Sequence, residues 1–296
     1  MDYTKTLNLH IQFPKRYCNF NCPYCFQGKH INPTKDQKAI VNKKFALIFK
    51  NVNKIIENSK YEKVILTLLG GEITLFDLDL FFSFLKNSSK QITIKIMTNA
   101  AMPMSYYSNL FSKHKNLNFR INISYHKDFM SYNVYRKKML EFKKLKKEFS
   151  NIEYIKTNFV LANEISIFLI WKIYFFNHIH NFGLRFIAKE EKQKIQKLDF
   201  LHHFFYEINK IKHTKLNGIT KKMYKKEQVY NFENTICIPE YTIDETGAIK
   251  PDCNIPIKEK KNIFNIDNIE EIISKKIKCT LKRCSCLNFV YNSLGE

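Results

Sequence analysis

The sequence predicts an α/β fold of six strand–helix units followed by a small cysteine-rich lobe. The chain has 296 residues, 45% of them hydrophobic and 15% aromatic, which is enough to bury a sizeable core. Short apolar runs alternate with longer segments of helical periodicity, and five of the eight cysteines lie beyond residue 231. Strict alternation of strands and helices implies parallel strands joined by right-handed crossovers.

The six predicted strands are short runs rich in β-branched and aromatic residues: Leu7–Phe13, Val64–Leu69, Ile92–Met97, Phe119–Ser124, Tyr154–Leu161 and Leu184–Ile187. The predicted helices carry apolar residues at three- and four-residue spacing and lie near 36–58, 77–88, 104–114, 134–149, 165–180 and 192–213. Ligand sites in such folds lie at the carboxyl ends of the strands, so the residues that follow each strand are the candidates for function.

The pattern changes after about residue 214. A basic stretch, Lys221–Lys226, leads into the segment with five cysteines, so we place a domain boundary near residue 231 and predict two domains, 1–231 and 232–296. Within the second domain we predict a hairpin that turns at Glu245–Gly247 and a short helix near Ile269–Ile277.

The charge balance of 49 Lys+Arg against 27 Asp+Glu gives +22, which points to nucleic acid, anionic lipid or an acidic partner. Only five of the basic residues are Arg, the side chain that phosphate and base recognition favours. Lys, Asn, Ile and Phe all have codons rich in A and T, so genome composition is the simpler explanation of the charge.

We expect a cytoplasmic protein, because the first residues lack a signal-peptide pattern. The longest apolar stretch, Ile165–Phe176, is interrupted by Lys172 and is shorter than the roughly 20 residues that span a bilayer. In a reducing compartment, eight cysteines favour metal binding or catalysis over disulfides.

Three cysteines follow the first strand in a C-x3-C-x2-C arrangement: Cys18, Cys22 and Cys25. A structural zinc is closed by four ligands, and a [4Fe–4S] cluster usually takes four cysteines. Three thiolates on one loop can hold three irons of a cubane and leave the fourth open to an outside ligand. This spacing, with the aromatic Tyr24 before the last cysteine, resembles the radical S-adenosylmethionine (SAM) superfamily.

The resemblance implies a partial (β/α)6 TIM-like barrel, with the cysteine-rich segment as a small α+β lobe. It implies that Cys18, Cys22 and Cys25 hold a catalytic [4Fe–4S] cluster whose open iron is chelated by SAM. Reductive cleavage of SAM would then give a 5′-deoxyadenosyl radical that abstracts hydrogen from a substrate. The resemblance also implies anaerobic chemistry and an electron donor such as flavodoxin or ferredoxin.

A second motif follows the second strand, where Gly70-Gly71-Glu72 matches the Gly-Gly-Glu sequence of the family. Glycines let the backbone approach a ligand closely, and a carboxylate is the natural partner of an ammonium group. By resemblance, Glu72 receives the amino group of SAM. Ile73 stands where the family often has Pro, a departure that affects loop stiffness more than chemistry.

Polar residues also follow the later strands. By resemblance we count Tyr24, Asn99, Ser124, Asn163 and Arg185 as cofactor contacts, although residues at strand ends are also common turns and caps. His126 could serve as a general acid or base near the substrate, and an ordinary structural histidine is an equal alternative.

The second cysteine cluster comprises Cys237, Cys253, Cys279, Cys284 and Cys286. It resembles the auxiliary-cluster extension called SPASM, and more closely its shorter version called twitch, because five cysteines support only one further [4Fe–4S] cluster. The ligands are either Cys253, Cys279, Cys284 and Cys286, or a set in which Cys237 replaces one of them. A structural zinc is the alternative metal.

The substrate class stays open between a peptide or protein side chain and a small alcohol or sugar. A cysteine loop that starts at residue 18 leaves no room for an N-terminal peptide-recognition domain, which slightly disfavours a peptide. One alternative is a radical SAM tRNA-modifying enzyme. Another is a non-catalytic zinc and RNA-binding protein, because His30 follows Cys25 by five positions and could complete a zinc site.

Overall fold

A computed structural model describes residues 6–25, 30–188, 190–191, 194–195, 198–207, 236–237, 241–251, 261–264 and 277–278. In chain order its strands are β1 (Thr6–Gln12), β2 (Lys63–Leu69), β3 (Gln91–Thr98), β4 (Asn118–Tyr125), β5 (Ile152–Leu161), β6 (Gly183–Ala188), β7 (Glu190–Glu191), β8 (Lys194–Ile195), β9 (Ile236–Cys237), β10 (Tyr241–Ile243), β11 (Ala248–Pro251), β12 (Lys261–Asn262) and β13 (Ile277–Lys278).

Nine of these strands form one open sheet in the order β12-β11-β10-β1-β2-β3-β4-β5-β6. Strand β10 and strands β1 to β6 run parallel, whereas β11 and β12 are antiparallel to their neighbours. The sheet is not closed between β12 and β6. The predicted α/β class and partial barrel are therefore confirmed.

The crossover helices are α1 (Lys35–Asn58), α2 (Leu78–Ser83), α3 (Met104–Lys113), α4 (Tyr132–Glu148) and α5 (Ile167–Ile179). All five were predicted within a few residues of these bounds, except that α2 ends earlier than expected. Helix α1 begins where Thr34 and Gln37 form a capping box, each side chain bonding the backbone N–H of the other.

The helix predicted over 192–213 is wrong in its first part. Residues 194–195 pair with β7 as the short strand β8, and the helix that follows occupies 200–207 within the described chain. Asp199 caps this helix, since its carboxylate accepts a hydrogen bond of 3.0 Å from the backbone N–H of His202.

Alternation along the strands separates a helix-facing side from an inner side. Phe119 in β4 contacts Phe82 of α2 and Phe111 of α3, with ring centroids 5.8 and 4.9 Å away. Successive side chains of a strand point to opposite faces, so Asn122 and Ser124 lie on the inner side. The apolar core therefore lies between sheet and helices, and the inner side is free to carry polar groups.

The predicted hairpin is present, with β10 and β11 paired around a turn at residues 244–247. Gly247 has φ +82°, and a Cβ there would lie 2.5 Å from a ring carbon of Phe264, so the turn requires glycine. Asp244 fixes the turn by accepting hydrogen bonds from the backbone N–H groups of Thr246 (2.9 Å) and Ala248 (3.1 Å). The hairpin extends the barrel sheet, because β10 pairs with β1.

The division into two domains at residue 231 stays a prediction. The basic stretch 221–226 and the predicted helix near 269–277 lie outside the described residues, apart from Ile277 in β13. In the described part of the chain, no helix combines the length and apolarity needed to cross a membrane.

Candidate active site

A cavity of about 480 Å³ opens at the carboxyl edge of the parallel strands. The loop after β1 and the glycine turn after β2 form one side of it, and the ends of β3 to β6 form the other. This is the edge at which sites are expected in parallel α/β folds.

The cysteine loop is tied down at both ends by backbone hydrogen bonds. The N–H of Cys18 donates to the carbonyl of Ile31 (3.1 Å), and the N–H of Ile31 donates to that of Arg16 (2.9 Å). The carbonyl of Tyr17 accepts from the N–H of Glu72 (2.8 Å), which joins the loop to the glycine turn. Backbone hydrogen bonds therefore connect the two candidate motifs directly.

The thiols of Cys18, Cys22 and Cys25 are not joined in disulfides, and all three line the cavity. Burial raises the pKa of the Cys18 thiol to about 11 and that of the Cys22 thiol to about 12. Without a metal these thiols are protonated at neutral pH, and a bound metal ion removes their protons outright.

Each thiol also has a nitrogen within hydrogen-bonding range. The backbone N–H of Phe20 donates to Cys18 Sγ at 3.4 Å. His126 Nδ1 lies 3.2 Å from Cys22 Sγ, and His30 Nε2 lies 2.9 Å from Cys25 Sγ. The Phe20 N–H is a donor in any protonation state, whereas each imidazole nitrogen donates to a thiolate or accepts from a thiol according to its tautomer.

The donor set fits the cluster that the motif implies. Three thiols on one loop face a common cavity, and in a cubane each thiolate binds a different iron. No three His, Cys, Asp or Glu side chains of the described chain converge to hold a single ion, and a cubane does not require that convergence. A CCCH zinc site would require Cys18, Cys22, Cys25 and His30 on one ion.

The first two positions of the Gly-Gly-Glu turn accept only glycine. Gly70 has φ +135°, and a Cβ there would lie 2.5 Å from the carbonyl oxygen of Phe13. A Cβ on Gly71 would lie 1.8 Å from the carbonyl oxygen of Tyr17. Both glycines allow the turn to pack directly against the chain that enters the cysteine loop.

Glu72 is buried and accepts four hydrogen bonds. Its Oε1 accepts from the N–H and the hydroxyl of Thr74 (3.1 and 2.6 Å) and from the hydroxyl of Thr98 (2.8 Å). Its Oε2 accepts from the N–H of Asn99 (2.6 Å). Burial raises the pKa of Glu72, and these hydrogen bonds oppose the rise. The carboxylate thus ties the end of β2 to the end of β3 while it lines the cavity.

The structure brings most of the predicted site residues together. Tyr24, Gly70, Gly71, Glu72, Asn99 and Ser124 line the same cavity as the three cysteines. Asn99 Nδ2 donates to the side chain of Asn19 (2.8 Å) and lies 3.9 Å from Cys18 Sγ, so the third strand end reaches the cysteine loop.

Two predicted contacts lie elsewhere. Asn163 is not among the lining residues, and its Oδ1 accepts a hydrogen bond from the N–H of Asp199 (3.0 Å) at the start of the helix over 200–207. Arg185 lies in β6 opposite Asn158 and is also outside the lining. Burial lowers the pKa of Arg185. Their roles as cofactor contacts stay predictions.

The sequence analysis missed four polar residues that line the cavity: Gln12, Lys15, Thr98 and Asn158. Asn158 is 5% exposed and pairs in register with Ser124 on β4 and Arg185 on β6. The signal was present, since Asn158 lies near the carboxyl end of β5 and faces the same side of the sheet as Val160, which also lines the cavity.

Of the five C-terminal cysteines, only Cys237 lies in the described chain, in β9 opposite Ile277. Cys253, Cys279, Cys284 and Cys286 lie outside the described residues.

Comparison with known proteins agrees with this geometry. Residues 13–159, which hold the cysteine loop and the glycine turn, match the family model described as the Radical SAM superfamily. A search of the curated proteins found no match.

Solved structures share the fold at low sequence identity. The structure of native anSMEcpe with bound AdoMet and Cp18Cys peptide has a TM-score of 0.56 at 15% identity, over 91% of this chain and 80% of that chain. Streptococcus suis SuiB bound to S-adenosylmethionine gives a TM-score of 0.55 at 16% identity, over 92% of this chain and 66% of that chain. Escherichia coli coproporphyrinogen III oxidase, HemN, gives a TM-score of 0.50 at 11% identity, over 84% of this chain and 66% of that chain.

Residues 13–159 therefore belong to the radical SAM superfamily, and the protein that carries them is an enzyme. The family implies a [4Fe–4S] cluster and SAM as its cofactors.

Proposed function

We propose that this enzyme cleaves SAM reductively at a [4Fe–4S] cluster and abstracts a hydrogen atom from a peptide or protein side chain. The observation that carries the proposal is that Cys18, Cys22 and Cys25 line one cavity together with the Gly-Gly-Glu turn. When bound, the cluster and SAM would supply the radical chemistry, in which a 5′-deoxyadenosyl group leaves as the hydrogen-abstracting radical.

The residues of this chain would bind and orient these groups. The three thiolates hold the cluster at the end of β1. Glu72 and the adjacent glycine backbone would receive the amino group of SAM, because Oε2 of this buried carboxylate accepts one hydrogen bond, from Asn99, and keeps a second lone pair in a fixed direction. Asn99, Ser124 and Tyr24 face the same space and supply the further polar contacts and the aromatic wall.

The apolar lining would exclude water from the reacting groups. Met97, Val160 and Ile187 line the cavity from β3, β5 and β6. A closed apolar lining would keep bulk solvent and the reactants dissolved in it away from the reacting groups, which limits side reactions. Cofactor enzymes use their protein in this way, to orient the reactive group and to exclude competing reactions.

The peptide assignment draws support from anSMEcpe, whose structure holds a Cp18Cys peptide beside AdoMet in a related fold.

We further propose an auxiliary [4Fe–4S] cluster at the C-terminal cysteines. Cys237 precedes β10 and Cys253 follows β11 in sequence, and β10 pairs with β1, the strand that leads into the cysteine loop. An external donor such as flavodoxin or ferredoxin would supply the electron.

Hydrogen transfer itself identifies the substrate class. Extracts of cells grown in heavy water would be separated into peptide, carbohydrate and RNA fractions and incubated with the reconstituted enzyme, SAM and dithionite without oxygen. The abstracted deuterium becomes part of 5′-deoxyadenosine, which mass spectrometry detects. The Cys22→Ala variant is the matched control.

We expect deuterated 5′-deoxyadenosine from the peptide fraction and from the wild-type enzyme only. Deuterium from the carbohydrate or RNA fraction alone would overturn the peptide assignment while leaving the radical chemistry intact. Equal product from Cys22→Ala would overturn the assignment of the cluster ligands.

A further inference from the structure

We propose that His126 donates a hydrogen bond from Nδ1 to the Cys22 thiolate and thereby raises the reduction potential of the catalytic cluster. The inference rests on the proposed function, because it assumes that Cys22 ligates a cluster. It assigns a role to a side chain from the end of β4, 104 residues away in sequence, whose Nδ1 lies 3.2 Å from Cys22 Sγ.

Aromatic contacts hold the imidazole in this place. Its ring stacks on Tyr24, with centroids 5.9 Å apart and an interplanar angle of 14°. Phe20 meets it edge-on at 5.8 Å, and Phe20 in turn stacks on Phe129 at 4.7 Å. Two residues of the cysteine loop therefore clamp a ring that belongs to the barrel, so the contact with Cys22 does not depend on one flexible torsion.

The chemistry of the partners decides which atom carries the hydrogen. The hydroxyl of Tyr24 also lies 3.2 Å from Nδ1 and can either donate or accept. A thiolate bound to iron only accepts. The proton is therefore assigned to Nδ1, which donates to Cys22 with the Tyr24 hydroxyl as an acceptor beside it, and a neutral ring then has Nε2 as an acceptor.

The electrostatic consequence has a definite sign. Reduction adds one negative charge to a cluster, and hydrogen bonds to its sulfur ligands stabilise the reduced form more than the oxidised form. Removal of the donor should make the cluster harder to reduce. His126 would thus act as a positioning and tuning residue, one that acts through Cys22.

The test compares substitutions that separate the donor from the ring. His126→Leu and His126→Asn have nearly the same size, and only Asn keeps an N–H near the position of Nδ1. His126→Phe keeps the stacking on Tyr24 without a donor. Each reconstituted protein would receive an iron count and a redox titration followed by electron paramagnetic resonance, using the signal that changes when SAM is added.

At the wild-type midpoint potential, we expect the ratio of reduced to oxidised cluster to fall about tenfold in His126→Leu, which is 59 mV for a one-electron couple. His126→Phe should behave like His126→Leu, and His126→Asn should stay near the wild type. Equal midpoints in the Leu and Asn variants with full iron would overturn the inference. A wild-type protein without a SAM-responsive cluster would overturn the proposed function together with it.

Discussion

Replacement of Gly71 by alanine tests whether the glycine turn and the cysteine loop are one assembly. The added Cβ would lie 1.8 Å from the carbonyl oxygen of Tyr17 and 2.6 Å from its carbon, where ordinary contacts begin at 3.4 Å. The atoms in the way are backbone, so no side-chain rotation relieves the overlap. The turn must move away from the loop, and the hydrogen bond of 2.8 Å from Glu72 N–H to Tyr17 is lost with it.

The magnitude follows from these two contributions. Overpacking in a well-packed interior costs about 1–3 kcal/mol, and an overlap with immobile backbone belongs at the upper end. A lost backbone hydrogen bond adds about 1 kcal/mol. We therefore expect Gly71→Ala to destabilise the protein by about 4 kcal/mol and to displace the loop that carries the three cysteines.

The assay combines thermal unfolding with an iron count after anaerobic reconstitution. Gly183→Ala is the matched control, because a Cβ there would meet the flexible side chain of Lys156, whose Cγ lies 3.1 Å away. Gly71→Ala should unfold at a clearly lower temperature and bind less iron, whereas Gly183→Ala should lose under about 1 kcal/mol of stability. Wild-type stability and iron content in Gly71→Ala would refute the reasoning.

Three further predictions concern stability. Glu72→Gln places an amide NH₂ against the N–H of Asn99 or against the donors that now bond Oε1. It should lower the free energy of unfolding by about 1–3 kcal/mol, measured by thermal unfolding, and an unchanged melting temperature would contradict this. Burial lowers the pKa of His114 below its ordinary 6.5, so the unfolded chain takes up the proton first and stability falls as pH drops through 6.5. The melting temperature should fall less from pH 7 to pH 5 in His114→Gln than in the wild type, and an equal fall would exclude this contribution of His114. The pKa of Asp79 is lowered below 3.8, so protonation of Asp79 affects stability only at lower pH. Phe45→Ala removes a fully buried ring stacked at 4.1 Å on Phe13 and should cost about 3–5 kcal/mol in chemical denaturation, and a loss below 1 kcal/mol would show that this part of the core repacks.

The strands were predicted well from the sequence because their buried positions are occupied by apolar residues, many of them β-branched. Strand β3, for example, alternates Ile92, Ile94 and Ile96 with less apolar residues, and all three isoleucines are buried. The segment before residue 200 was misjudged for the opposite reason. Glu190, Glu191 and Lys194 are good helix formers, and their pairing as β7 and β8 is a tertiary outcome that local propensity does not contain.

Prediction of the site succeeded where spacing alone determines geometry. Three cysteines within eight residues had to share one loop, and a glycine turn after the adjacent strand had to lie beside it. Long-range contacts were not predictable in this way. The approach of His126 to Cys22 and the registration of Asn158 between neighbouring strands depend on strand pairing, which one sequence leaves unspecified.

The central claim is tested most directly by 5′-deoxyadenosine formation from SAM. Wild-type protein and Cys22→Ala would be reconstituted without oxygen, counted for iron and sulfide, and incubated with SAM and dithionite. We predict product from the wild type only, with about four irons fewer in the variant. Equal product from Cys22→Ala, or a wild-type site filled by zinc without iron, would contradict the assignment.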